Sequence, residues 1–205
     1  VPDLKDTRTM AELLRRIGAS VSFENNQLVI NTVNVSKPVA PYDLVKTMRA
    51  SFYVLGPLLG RLGHAEVSLP GGCAWGPRPV DIHIEALEKL GVNISLEGGN
   101  IVAKGNPIGN NIKFKFPSVG ATGNLMMASV LGKGQTILKN VALEPDIISL
   151  GDFLIKMGAD IKAGKRANML TGAAAYGYIP LDDSVKKWKA DHMFDKANEI
   201  IALVQ

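Results

Sequence analysis

The sequence predicts an α/β fold assembled from a repeated strand, helix, strand, helix, strand, strand unit, with helices turned inward and sheets outward. Three observations predict it: a helix-glycine-strand phrase that recurs three times, a tight-hairpin signal after two of the copies, and a second, more apolar helix between copies. Units of this kind cannot each bury their faces alone, so they pack around a shared core.

The phrase occupies residues 10–21, 84–94 and 150–161, with Gly18, Gly91 and Gly158 in equivalent places. Before each glycine the apolar residues recur at helical spacing, and after it alternation takes over. A glycine there supplies the left-handed conformation that closes a helix. Val21-Ser22-Phe23-Glu24 then turns through Asn25-Asn26 into Leu28-Val29-Ile30, and Ile94-Ser95-Leu96-Glu97 turns through Gly98-Gly99 into Ile101-Val102. Both pairs tolerate the positive φ of a tight hairpin. The third copy starts the same way over residues 161–166 and then loses the pattern.

The second helix carries Leu44, Met48, Phe52, Leu55, Leu59 and Leu62 as one continuous apolar stripe, with Asp43 as its cap. Its counterpart, from about Thr122 to Gly134, is so small and apolar that burial nearly all round is expected. Strands follow at 64–69 and 135–140. Short connections make 1–166 one compact domain, and 167–205 an extension with an amphipathic helix from roughly Asp182 to Val204. Phe194, Ala197, Ile201 and Val204 form its apolar face, and Trp188 and His192 read as packing or surface residues.

Composition excludes several classes. With 46% hydrophobic residues in 205, the chain can bury a real core. No apolar run approaches the roughly 20 residues of a membrane span, and the start lacks a secretory pattern, so no membrane partner and a cytoplasmic location are expected. Cys73 is the single cysteine, which rules out an internal disulfide or a cysteine metal cluster and suits a reducing compartment. The net charge of +4 is scattered and aromatics are 6%, so no nucleic-acid partner is expected. Mild basicity suits small anionic ligands.

Three segments break the amphipathic pattern, and loops and helix starts are where function resides. In 40–51, Lys46 and Arg49 share a helical face with Tyr53; spacing alone favours solvated groups, the alternative being a cationic pair that meets an anion. In 69–83, three glycines and three prolines surround Cys73. A thiol near Arg78 and a helix start can act as acid or nucleophile, and an inert buried thiol is the equal alternative. His83 alone reads as a helix-face or capping histidine, and Asp81 equally as a helix-dipole charge or a ligand contact. In 116–124, Ser118, Val119 and Gly120 open the small-residue helix as an anion site, an ordinary cap being the commoner explanation.

Taken together, Pro41 through Ser51, Leu69-Pro70-Gly71-Gly72-Cys73, Arg78-Pro79-Val80-Asp81-Ile82-His83, Ser118-Val119-Gly120-Ala121-Thr122 and Glu144-Pro145 closely resemble the UDP-N-acetylglucosamine 1-carboxyvinyltransferase family, in register from Val1 to about Arg166. The resemblance implies an inside-out α/β barrel domain of the enolpyruvyl transferase type, one of two such domains. It implies transfer of the enolpyruvyl group of phosphoenolpyruvate to the 3-hydroxyl of UDP-N-acetylglucosamine, the first committed step of peptidoglycan synthesis, without metal or organic cofactor. Cys73 would be the proton donor on a mobile lid, able to form a covalent adduct and to be alkylated by fosfomycin. Arg78 would meet the phosphate of phosphoenolpyruvate, with Arg49 a second ligand-side arginine and Lys46 a further candidate. Arg78, Pro79, Val80, Asp81, Ile82 and His83 fall at the uridine end, and Ser118, Val119 and Gly120 at the diphosphate.

The sequence also departs from that family. Its opening Lys-Asn pair and its second domain, with the aspartate that takes the hydroxyl proton, have no counterpart in 1–205, and Phe116-Pro117 stand where some members carry lysine. With half the cleft lacking, this chain alone is expected to turn over little or nothing. The rival enzyme is the shikimate-pathway enolpyruvyl transferase, against which Cys73 and the Arg-Pro-Val-Asp segment count. The rival class is a non-catalytic fragment or binding module.

Overall fold

The computed structural model describes residues 1–69 and 80–161, and the main chain of 172–174 and 192–194. By internal contacts the chain divides into Val1–Ala159 and Asp160–Gln205. The first unit opens with helix α1 (Lys5–Arg16) and strands β1 (Ser20–Glu24) and β2 (Gln27–Asn31). A complete repeat follows: β3 (Val39–Ala40), a helical stretch, β4 (His64–Ser68), α4 (Asp81–Lys89), β5 (Asn93–Glu97) and β6 (Asn100–Lys104). The helical stretch comprises α2 (Tyr42–Val45), a 3-10 helix (Arg49–Val54) and α3 (Leu55–Leu62). Then come β7 (Asn111–Lys113), α5 (Val119–Ser129), β8 (Ile137–Lys139) and α6 (Pro145–Lys156).

The repeat's punctuation is visible in the backbone. Gly18, Gly91 and Gly158 have φ of +107°, +79° and +100°, and each ends its helix. Asn25 and Asn26 sit at +50° and +61°, Gly98 and Gly99 at +56° and +83°. Their strands pair antiparallel across two-residue loops, Glu24 opposite Gln27 and Glu97 opposite Asn100. Consecutive positive-φ residues match the right-handed strand twist, which is why Asn-Asn and Gly-Gly occur there.

Sheets follow the same repeat. The complete unit forms a four-stranded sheet in the order β3-β4-β6-β5, with β3 and β4 parallel and the other pairs antiparallel. The flanking units show half of this each, β1-β2 as a hairpin and β7-β8 as a parallel pair. Among the described residues these sheets are separate and do not close on one another. In the second unit, β9 (Gly172–Ala174) and β10 (His192–Phe194) pair in parallel. The helix expected across 182–204 is therefore interrupted at 192–194, where main-chain pairing with the small residues Gly172, Ala173 and Ala174 overrides helical periodicity; the rest of that stretch lies outside the described residues.

The apolar stripe from Leu44 to Leu62 is not one helix. Pro57 has no N–H for the carbonyl of Tyr53 and its ring crowds that carbonyl, so a regular helix cannot run through it. Pro57 falls in the first turn of α3, directly after the 3-10 helix, where its missing donor costs little; the stripe is interrupted earlier, at Met48, whose backbone is extended (φ −144°, ψ 119°). The stripe still faces the core: Met48, Phe52, Leu55 and Leu59 are buried. Asp43 lies in the first turn of α2 rather than capping it, the N-cap being Pro41.

Helix α5 packs against α3, α4 and α6. Ala121, Thr122, Gly123, Asn124, Leu125 and Ala128 are buried, while Met126 and Met127 are half-buried, so burial is less complete than the composition predicts. Its approach to α3 is set by glycines. A Cβ at Gly56 would collide with the main-chain carbonyl of Asn124, and one at Gly60 would lie 3.0 Å from that of Ala128. Gly56→Ala is expected to lower unfolding free energy by about 2–4 kcal/mol. Gly98→Ala, which meets nothing within 4 Å but sits at φ +56°, is expected to cost only about 1 kcal/mol. Urea denaturation of both variants separates close approach from backbone strain.

Candidate active site

Ser118 builds the opening of α5. Its extended backbone lets Oγ accept the Ala121 N–H at 3.3 Å, and its carbonyl accepts the Thr122 N–H at 2.9 Å and hydroxyl at 2.7 Å. The Thr122 hydroxyl oxygen in turn accepts the Ala142 N–H at 3.2 Å, tying the turn to the chain after β8. Helix geometry leaves the N–H groups of Val119 and Gly120 directed out of the helix end, where the dipole favours an anion. Ser118, Val119 and Gly120 are all half-buried, which keeps this end within reach of a ligand.

His83 lies beside that opening. It is on the buried face of α4, 8% exposed, because Ile82, His83, Ala86 and Leu87 turn inward together. The Phe52 ring meets it edge-on, with centroids 5.0 Å apart and planes at 89°. A Cβ on Gly120 would stand 3.3 Å from both Cε1 and Nε2 of His83, so glycine at 120 is what lets the imidazole reach the start of α5. Burial first and the Arg49 charge second push the His83 pKa down to about 4, against a smaller opposing effect of Asp81. The ring is neutral at physiological pH.

The 3-10 helix supplies the rim. Arg49 opens it and is exposed, with its charge felt at His83 and at the half-buried Tyr53. Burial raises the Tyr53 pKa, Arg49 opposes that, and Asp146 at the start of α6 adds to it. Tyr53 packs on Gly123, where a Cβ would come within 2.6 Å of its ring. Lys46 does not share a helical face with Arg49 and Tyr53, because the chain breaks between α2 and the 3-10 helix; its Nζ lies 5.2 Å from the Tyr42 ring centre instead.

The structure thus brings His83 beside the Ser118-Val119-Gly120 opening, with Arg49 on the neighbouring 3-10 helix near enough for its charge to act on His83. Asp81 is exposed at the first residue of α4, Val80 precedes it as N-cap, and Ile82 points into the core, leaving only its main chain for a ligand. Cys73, Arg78 and Pro79 lie outside the described residues. The residue without a role in the sequence reading is Asn124. Fully buried on α5, it joins the 3-10 helix, α3 and α4 through hydrogen bonds to Phe52, Gly56 and His83. An amide side chain among the small and apolar residues of this helix was its available signal, since a buried amide must find partners. Among the described residues no helix is long and apolar enough to cross a membrane, and no group of three or more His, Cys, Asp or Glu is placed to hold a metal.

The family model for EPSP synthase (3-phosphoshikimate 1-carboxyvinyltransferase) matches residues 1–178, and the chain belongs to that family. Its more specific likeness is to proteins named UDP-N-acetylglucosamine 1-carboxyvinyltransferase. One from Prosthecochloris aestuarii is 55% identical over 176 residues, 84% of this chain and 41% of the relative. Another, from Chloroherpeton thalassium, is 58% identical over 164 residues, 78% and 38% of the two chains. A third, from Chlorobaculum parvum, is 51% identical over 200 residues, 96% and 45%. The chain therefore spans about two-fifths of the length of the curated relatives it matches. Among solved structures, the enolpyruvyl transferase NikO from Streptomyces tendae superposes with a TM-score of 0.67 at 21% identity, over 79% of this chain and 39% of that one. EPSP synthase from Acinetobacter baumannii does so at 0.62 and 18%, over 80% and 38%. At these identities the likeness is one of fold.

The depressed His83 pKa carries a pH signature. The unfolded imidazole takes up a proton near 6.5 and the folded one near 4, so the associated stability is full above the upper value and is lost as pH falls toward the lower. The loss is of the order of 3 kcal/mol at its limit. Urea midpoints are expected to fall between pH 7.5 and 4.5, and His83→Gln to flatten that slope.

Proposed function

We propose that this chain forms one wall of an enolpyruvyl transfer site that joins phosphoenolpyruvate to the 3-hydroxyl of UDP-N-acetylglucosamine in the cytoplasm, for peptidoglycan synthesis. The observation that carries this reading is identity of 51–58% to proteins named for that reaction, across the segments that hold its candidate residues. The wall belongs to an inside-out α/β barrel, for which the repeat and the central α5 are the support. The remaining length of the longer relatives supplies the facing wall, and residues 1–205 alone turn over little or nothing.

The chemistry divides among named groups. The sugar 3-hydroxyl attacks C2 of phosphoenolpyruvate while the Cys73 thiol protonates C3, giving a tetrahedral adduct. The Cys73 thiolate left by that step then takes a proton back from C3 as phosphate departs, which leaves the enol ether and restores the thiol. The base for the hydroxyl proton comes from the facing wall. Arg78 and Arg49 offset the charge of the phosphorylated substrates, as guanidinium groups suit phosphate geometry. The main-chain N–H groups at Ser118, Val119 and Gly120 face the diphosphate, and Val80, Asp81, Ile82 and His83 border the uridine end beside Arg78 and Pro79. Lys46 serves at most as a more distant charge, given its place over Tyr42. No metal or organic cofactor enters this scheme.

The family model's own name favours one other reading, transfer to shikimate 3-phosphate. Calorimetry separates the two: UDP-N-acetylglucosamine is expected to bind the chain without competition from shikimate 3-phosphate, and Arg49→Ala to weaken it about tenfold. The reverse preference would overturn the assignment. Fosfomycin is expected to add its mass to Cys73 in the folded chain faster than in urea, and equal rates would mean that the thiol has no special surroundings.

A further inference from the structure

Asn124 is fully buried, and two of its contacts fix which way its amide faces. Oδ1 accepts the Gly56 N–H at 2.9 Å, and Nδ2 donates to the Phe52 carbonyl at 3.2 Å. Reversing the amide would set donor against donor and acceptor against acceptor at both. The second hydrogen of Nδ2 is directed at Nδ1 of His83, 3.2 Å away. An amide nitrogen only donates, so Nδ1 accepts and carries no proton, and the neutral ring bears its hydrogen on Nε2. That nitrogen lies at the Gly120 edge of the ring.

We infer that Asn124 is a positioning residue: it locks His83 as the Nε2–H tautomer and presents a neutral hydrogen-bond donor beside Gly120 at the opening of α5. Nε2 lies beside Gly120, in the first turn of α5 whose N–H groups lack helical partners, and its use by a ligand rests on the proposed anion subsite there. Two properties follow from the amide. The proton does not pass from Nε2 to Nδ1, and the imidazole resists a second proton, because a proton on Nδ1 would face an N–H. The depressed pKa agrees with that, burial and Arg49 acting in the same direction and Asp81 against. Asn124 also bonds the first turn of α3 and the 3-10 helix that carries Arg49, so one side chain sets the donor and the rim together.

The test is nitrogen NMR on the full chain, using long-range proton-nitrogen correlations of His83 at pH 7.5 without ligand. A single tautomer is expected, protonated at Nε2 and bare at Nδ1, without the minority Nδ1–H form of a freely exchanging imidazole. A mixture, or a proton on Nδ1, would overturn the inference. Asn124→Asp replaces the donor by an acceptor of the same shape; it is expected to move the proton to Nδ1 and raise the proton affinity of His83 about tenfold or more. An unchanged tautomer and titration in that variant would reduce Asn124 to a packing role. Should the variant not fold, the ligand-free wild-type spectrum decides the matter alone. Adding UDP-N-acetylglucosamine separates this from the proposed function. A moved Nε2 signal supports the presentation of the donor, and moved Val119 and Gly120 amides with an unmoved Nε2 refute it. Silence at all three counts against the anion subsite and leaves the tautomer result standing.

Discussion

The contact between α3 and α5 is the constraint on which the described architecture turns. Gly56 and Gly60 remove two side chains from one helix so that the main chain of Asn124 and Ala128 on the other can come close. At that distance the backbone N–H of Gly56 reaches the Asn124 amide, and a packing contact becomes a polar one. Close helix approach of this kind leaves no slack: interiors are packed at crystal-like density, and a shift at one glycine is felt along both helices. The placement of the Ser118 turn, the Phe52 ring and His83 all descend from it.

Much of the fold was legible because its punctuation is local. Gly18, Gly91 and Gly158 announce helix ends, and Asn25-Asn26 and Gly98-Gly99 announce hairpins, each through the backbone angles those residues alone tolerate cheaply. The break in the Leu44 to Leu62 stripe was missed because apolar periodicity reports which side faces the core, not whether hydrogen bonding is continuous. The interruption falls at Met48, where an extended backbone separates α2 from the 3-10 helix and no turn-forming residue announces it. The strand at His192–Phe194 was missed because a pairing with residues twenty positions away leaves no trace in a helical-period count.

The candidate site was legible unevenly. Ser118 declared itself as a cap by type and place, and the α5 opening follows from that residue. His83 was ambiguous, since a helix-face histidine and a ligand-facing one share the same spacing; only the 3.3 Å separation from a Cβ on Gly120 makes the glycine meaningful. Lys46 and Arg49 looked paired through helical geometry that the chain does not keep. Asn124 could be noticed but not assigned, because its partners lie 41 to 72 residues away in the chain. Long-range partnership is what a single sequence conceals.

The half-sheets carry a material consequence. In the complete repeat, β4 and β6 cover each other's edges, whereas among the described strands β2 and β8 each have one edge without such a neighbour. Val29 and Ile30 on β2 and Ile137 on β8 are exposed. Unpaired edges carrying apolar side chains are templates for further strands, so these two ribbons offer places where another strand can add.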